Sequence, residues 1–294
     1  MPRRLTLSSA RALLVALGVG ERRLPTAPPA APAARDTASV RRSALAPPQR
    51  RLAVNLTRSS RVGPLRWSET LVAQTTPQTC GASSLLLLAA LGDPVLAAWL
   101  TTGRRIGSQP PPELARLPLA QLEAPSVQER IAVAERRVFE QVRSRALGPF
   151  SWPARWGTPP WAAARQARYP GVTYRHTPVN DRDVAQARTI LQAVKAATRA
   201  GIPVLLYTGG DLSSSPAAAL PRHVVLALPW RRDLPSLRIF EPGSGRIREV
   251  TVESLLARER PMAALGNWTH VVWAVLPSSV FPGGEAPGGE RGSE

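Results

Sequence analysis

The chain reads as an α+β protein whose folded region begins with helices and ends with strands. Three observations predict this. An unbroken apolar run of helix-forming Leu and Ala follows Cys80. An apolar stripe at helical spacing passes through Ile131, Ala134, Val138 and Val142. Beyond residue 200 the pattern changes to short apolar runs at close spacing, the mark of an antiparallel sheet or half-barrel.

At 294 residues the chain suits one sizeable domain or two small ones, and 44% hydrophobic residues is ordinary for a globular protein. The net charge of +18 is not ordinary and invites a nucleic-acid reading. Its distribution tempers that. Residues 1–60 hold eleven Arg against Glu21 and Asp36, so half of the excess lies in the first fifth of the chain. Lys195 is the only lysine, so the composition speaks for a GC-biased genome as much as for a selected basic surface. In 1–60 arginine pairs alternate with Pro/Ala tracts such as Pro25 to Pro32, a composition that cannot offset its chain entropy by burial. This segment is expected to be disordered. The apolar island Leu13 to Val19 resembles part of a signal peptide but ends in Glu21-Arg22-Arg23. No apolar stretch approaches the ~18 residues of a membrane span.

The folded domain is expected over 61–278, with a Gly/Glu-rich disordered tail over 279–294. After the Cys80 helix, Gly92-Asp93-Pro94 breaks the chain before a second short helix over Val95 to Leu100. Gln109 to Pro112 reads as a loop. Ser126 with Glu129 forms a capping box that starts the striped helix. Trp152, Trp156 and Trp161 interleave with Pro153, Pro159 and Pro160 in a loop, where they either line a peptide groove or fill core beneath it. A strand over Val172 to His176 leads to Asn180, Asp181 and Asp183, any of which can cap the next helix. That helix shows Val184, Ala187, Ile190, Val194 and Ala197 on one face and stops at Gly201. Strands follow at Pro203 to Thr208, His223 to Leu228, Leu237 to Phe240, Ile247 to Val252 and Thr269 to Leu276, with a Gly/Ser/Ala loop at Gly209 to Ala219. No internal repeat is present.

The chemistry gathers on four residues. Cys80, the only cysteine, stands behind the turn-forming Pro77 and opens a buried helix, where free backbone N–H groups and the helix dipole favour a thiolate. Gln74 lies six residues upstream, near enough for its amide to join the Cys80 N–H in an oxyanion hole. His223 enters an apolar strand at Arg222-His223-Val224-Val225-Leu226, and Glu241 ends the next strand before Pro242-Gly243-Ser244-Gly245. If those strands pair, Glu241 reaches the far nitrogen of His223 and fixes its tautomer, while His223 takes the Cys80 proton.

Gln74, Cys80, Gly81, Ala82 and Ser83, with His223-Val224-Val225 and Glu241-Pro242-x-x-Gly245, resemble the papain-like cysteine peptidases. Within them the likeness is to the bacteriocin-processing, double-glycine-leader peptidase family, over roughly residues 65–278. The resemblance implies a papain-like fold, a Cys80–His223–Glu241 triad with Gln74 at the oxyanion hole, and a peptide or protein substrate. Glu241 departs from the family's Asp, and His223 lacks the aromatic residue that follows it there.

A lone cysteine excludes an intrachain disulfide and, with His176 and His270 at no ligand-like spacing, argues against a metal. No cofactor is expected. The lone thiol suits a reducing, cytoplasmic setting. Two other readings stand beside the peptidase: a catalytically impaired peptide-binding module of the same fold, and a basic nucleic-acid-associated protein.

Overall fold

The computed structural model describes residues 62–107, 109–180, 183–210, 223–229, 236–257 and 260–281. The expected disorder of 1–60, most of the 279–294 tail, the Asp181 cap and the Gly/Ser/Ala loop beyond Gly210 lie outside those residues.

Three two-residue strands come first, β1 (Gly63–Pro64), β2 (Arg66–Trp67) and β3 (Thr70–Leu71). Helix α1 then spans Cys80–Gly92. Every residue of it but Leu91 is buried, so it runs through the core rather than along its edge. Asp93 turns the chain, its carboxylate accepting from Val95 N and Leu96 N to cap α2 (Pro94–Thr102) with proline at the first helical position. Among the described residues no single helix is long and apolar enough to cross a membrane, and α1 and α2 are bent by 114° at Asp93.

The short α3 (Leu119–Leu122) precedes α4 (Val127–Arg143). Both halves of the Ser126–Glu129 capping box form, and Ile131, Ala134, Val138 and Val142 are buried as their spacing predicts. Trp161 departs from the expected loop. It lies on α5 (Pro160–Gln166), which Pro160 starts with its preset φ.

Strand β4 occupies Tyr174–Pro178, two residues later than expected, because the Pro170-Gly171 turn ties Val172 N to Tyr169 O. Asp183 caps α6 (Val184–Arg199) by accepting from Gln186 N, and Ala187, Ile190, Val194 and Ala197 are buried. Val184 is corrected: as the first helical residue it is 53% exposed and leaves the apolar face. Then follow β5 (Val204–Gly209), β6 (His223–Ala227), β7 (Ser236–Glu241) and β8 (Arg246–Thr251). The expected strand through Val252 stops one residue short. Thr251 turns its hydroxyl onto Ser254 N and caps a helix, α7 (Val252–Ala257), that the apolar pattern alone does not announce. Strand β9 (His270–Pro277) completes the set, and Val280 and Phe281 are packed beyond it.

Seven strands form one antiparallel sheet in the order β1-β8-β7-β6-β5-β9-β4. The protein is therefore α+β, built on a largely antiparallel meander. Every residue of β5 is buried, which requires cover on both faces of the sheet. Helices α1 and α6 both pack against its central strands, α1 backed by α4 and α6 by α7. The site lies where the first turn of α1 meets the starting edge of β6.

Candidate active site

Helix α1 begins at Cys80, and its first N–H groups have no partner within the helix. The N-cap Thr79 does not fill them. Its hydroxyl donates backwards to Thr76 O at 2.9 Å and accepts from Thr76 N at 3.1 Å. The helix end is thus left open to a negative charge at the sulfur or beside it. Two contacts lock that turn in place. Ser84, one turn further on, donates to Val224 O at 3.3 Å and so ties α1 to the strand that carries His223. At Gly81 an added Cβ would stand 2.5 Å from Thr158 Cβ, so only glycine admits the close approach of the 157–160 loop.

His223 and Glu241 come together as their strands predict. Strands β6 and β7 pair through Leu226–Phe240 and Ala227–Ile239, which brings the start of one beside the end of the other. His223 Nε2 stands 2.7 Å from Glu241 Oε1. With Nε2 so engaged, Nδ1 is the ring nitrogen left to address the Cys80 thiol, which is close enough to raise the imidazole's affinity for a proton. Burial opposes a charged ring, yet the hydrogen bonds and charges of Cys80 and Glu241 outweigh it and lift His223 to about 9. Burial likewise opposes the Glu241 carboxylate, and hydrogen bonds from His223, Ser244 and Gly243 bring it down to about 2. The two are an ion pair at neutral pH.

The extra methylene of Glu241 is absorbed by its own turn. Gly243 N donates to Oε1 at 2.6 Å and Ser244 N to Oε2 at 2.7 Å, curling the carboxylate back over Pro242 while Oε1 still meets His223. On the other side of the ring lies Gly266, at φ +67°. A Cβ there would be 2.4 Å from His223 Cδ2. This glycine is held by Thr208, which donates to Leu265 O at 2.9 Å and pairs with His223 in the β5–β6 ladder.

Gln74 stands at the same junction. Its backbone N–H donates to Pro242 O at 2.9 Å, which fastens the loop before Cys80 to the turn after Glu241. Its side-chain amide donates to Thr76 O at 3.0 Å, while Oε1 is buried without a partner among the described residues. One amide hydrogen of Gln74 is therefore used within the loop and one is left. The loop is anchored from beneath by Glu135 of α4, wholly buried, which accepts from Thr75 N at 2.9 Å and from the Thr75 hydroxyl. Burial pushes the Glu135 carboxyl up, against the hydrogen bonds from Thr75 that pull it down. Tyr207 of β5 is buried nearby with its hydroxyl unpartnered, and burial and the charge of Cys80 push its phenol well up.

Cys80 opens onto a cleft of about 590 Å³. Its walls include Trp152, Trp156 and Trp161 from the 152–161 stretch, and Trp268 and Trp273 from the other side. Five of the eight tryptophans of the chain thus face one cavity. Trp152 packs edge-on against Trp156 at 5.2 Å and Trp161 at 5.3 Å between ring centres. Both readings the sequence left open hold in part: Trp152 and Trp161 pack against the core on one side and line the cleft on the other. His176 and His270 stand apart from the site: His176 accepts from Trp273 Nε1 at 3.2 Å, and His270 is buried on β9 beside Thr269.

Comparison with family models, curated proteins and solved structures found no match to this chain. The site is therefore read from its own residues. Sequence reasoning missed Thr158, Gly266, Tyr207, Glu135, Trp268 and Trp273. Only Gly266 left a signal, as a glycine in Leu265-Gly266-Asn267 just before a strand.

Proposed function

We propose that the protein is a cysteine peptidase, or a closely related acyl-transfer hydrolase, on a papain-like α+β fold. What carries this reading is one imidazole that meets the Glu241 carboxylate at 2.7 Å and is raised by Cys80, whose thiol lines a cleft. A buried structural cysteine has no need of a charged ring, and a structural ion pair has no need of a cleft.

In this reading the Cys80 proton rests on His223 Nδ1 before substrate binds, and the thiolate is stabilised by the imidazolium and the α1 terminus. The sulfur attacks the scissile carbonyl carbon, and the carbonyl π electrons move to oxygen. That oxyanion is met by the Cys80 N–H and the remaining amide hydrogen of Gln74. Collapse of the intermediate breaks the C–N bond, and His223 delivers its Nδ1 proton to the leaving amine. A water then gives a proton to Nδ1 and attacks the thioester carbon; the C–S bond breaks, releasing the acid and restoring the thiolate–imidazolium pair. Throughout, Glu241 holds Nε2–H and so keeps the ring facing the sulfur.

The test is digestion of a denatured, dimethyl-labelled proteome followed by mass spectrometry of new amino termini. The parent protein is expected to generate termini that share a residue preference, and Cys80→Ala none. Identical termini from both proteins, or none from the parent, would overturn the reading. In the second outcome a peptide-binding module of the same cleft takes its place.

A further inference from the structure

The cleft has a character that the triad does not require. Its walls are mainly carbon surface, and the polar edges of three of its five tryptophans are engaged elsewhere or sealed. Trp161 Nε1 donates to Ala146 O at 2.7 Å and Trp273 Nε1 to His176 Nδ1. The Nε1 of Trp152 is sealed from solvent within the stack. Pro77, Pro159 and Pro160 extend the same kind of surface. Yet the rings are not wholly buried. Trp156 is 52% exposed, and Trp152, Trp161, Trp268 and Trp273 are each only partly buried. Rigid aromatic faces left partly wet are surfaces awaiting an apolar occupant.

The charge in the cleft has one sign. Among the described residues no Asp or Glu lines it, and Arg155 is its one charged side chain. Arg155 stacks its guanidinium over the Trp156 ring, 5.2 Å from the centroid, and forms no salt bridge among the described residues. Stacking uses the plane of the guanidinium and leaves its N–H edge free for a carboxylate. A Lys or Arg side chain entering this cleft would meet a like charge and no counter-ion.

Resting on the peptidase reading for the bond cleaved, we propose that this cleft selects peptides with a large apolar side chain beside an acidic residue. The apolar group, aromatic or Leu, lies against Trp152, Trp156 and Trp273, and the acidic residue pairs with Arg155. Basic side chains are excluded from both positions. Burying a Phe or Leu side chain rather than Ala dominates the selection, at roughly 10- to 100-fold in affinity. The exposed pair with Arg155 adds a few-fold and fades with salt.

Cys80→Ala separates recognition from turnover. Its intrinsic tryptophan fluorescence is titrated with five capped peptides, Ac-Ala-Glu-X-Ala-Ala-Ala-NH2 with X as Phe, Leu, Ala or Lys, and Ac-Ala-Lys-Phe-Ala-Ala-Ala-NH2. The expected order is Phe and Leu tightest, Ala roughly 10- to 100-fold weaker, and Lys no better than Ala. Replacing Glu by Lys beside Phe is expected to weaken binding, and Arg155→Ala to remove that difference while keeping the Phe preference. Trp156→Ala, at an exposed ring whose loss the fold tolerates, is expected to shrink the Phe preference. Equal affinity for the Phe and Ala peptides, or a Phe preference unchanged in Trp156→Ala, would overturn the proposal. If Cys80→Ala binds in the expected order but the parent cuts nothing, the peptidase reading fails and the cleft assignment stands. If the parent cuts peptides with no such preference, the reverse holds.

Discussion

Replacing Glu241 by Gln removes one charge from the His223 pair while nearly preserving shape, and the structure sets how much should change. Glu241 lies at about 2 against an ordinary 4.5, a depression equivalent to about 3 kcal/mol in favour of the carboxylate. His223 lies at about 9 against an ordinary 6.5, a displacement of the same size and opposite sense. The two shifts overlap in the His223–Glu241 contact, but Cys80 is the foremost influence raising His223, and the depression of Glu241 is not owed to His223 alone. Part of it belongs to Gly243 N and Ser244 N, whose hydrogen bonds a Gln oxygen partly keeps. The share owed to the charge facing His223 should shift that ring down by roughly 1–3 pH units. The chain has three histidines, so the imidazole Cε1–H signals can be followed singly by NMR, the His223 signal being the one lost in His223→Ala. The linkage has a definite sign. Because the Glu241 value is depressed, its contribution to stability is present above about 4.5 and lost as pH falls towards 2. Because the His223 value is raised, its contribution is complete below about 6.5 and lost as pH rises through 9. The parent should therefore be destabilised at both ends of that window relative to its centre, and Glu241→Gln should show less of this dependence. A parent His223 titrating near 6.5, or one that does not move in Glu241→Gln, would refute the reasoning.

Further outcomes follow from the same geometry. Turnover in the parent should fall on the alkaline side with a midpoint near 9, as the imidazolium that protonates the leaving amine is lost; a pH–kcat/KM profile checks this. Gly266→Ala should cost on the order of 10²-fold in kcat/KM by displacing the His223 ring, with the far-ultraviolet circular dichroism unchanged. Glu135→Gln, which keeps an acceptor for Thr75, should fold with near-parent stability, whereas Glu135→Ala should lose at least about 1–3 kcal/mol in chemical denaturation through the stranded Thr75 donors.

Local chemistry made much of this legible beforehand. Pro77 before Cys80 and apolar residues after it dictate a helix opening at the thiol, and the capping box at Ser126 dictates where α4 starts. His223 and Glu241 were placeable because adjacent antiparallel strands bring the start of one to the end of the next. What escaped depends on distance in the chain. Glu135 looks like one more polar residue on an amphipathic helix until Thr75, sixty residues earlier, is seen to rest on it. Trp268 and Trp273 belong to a strand pattern that reads as core, and only the fold brings them opposite Trp152. The side chain of Glu241 is set by two backbone N–H groups, of Gly243 and Ser244, whose direction no residue pattern encodes. Thr251 shows the converse case: a β-branched residue that fits a strand by propensity ends one by capping.

The central claim is that Cys80 and His223 act as one unit, and the rate of Cys80 alkylation by iodoacetamide tests it most directly. At pH 6.5, where an isolated thiol with its ordinary value near 8.5 is about 1% ionised, Cys80 of the parent should react faster than free glutathione, and His223→Ala should abolish the advantage. A parent thiol no faster than glutathione, with a rate indifferent to His223→Ala in a protein that remains folded, would contradict the account.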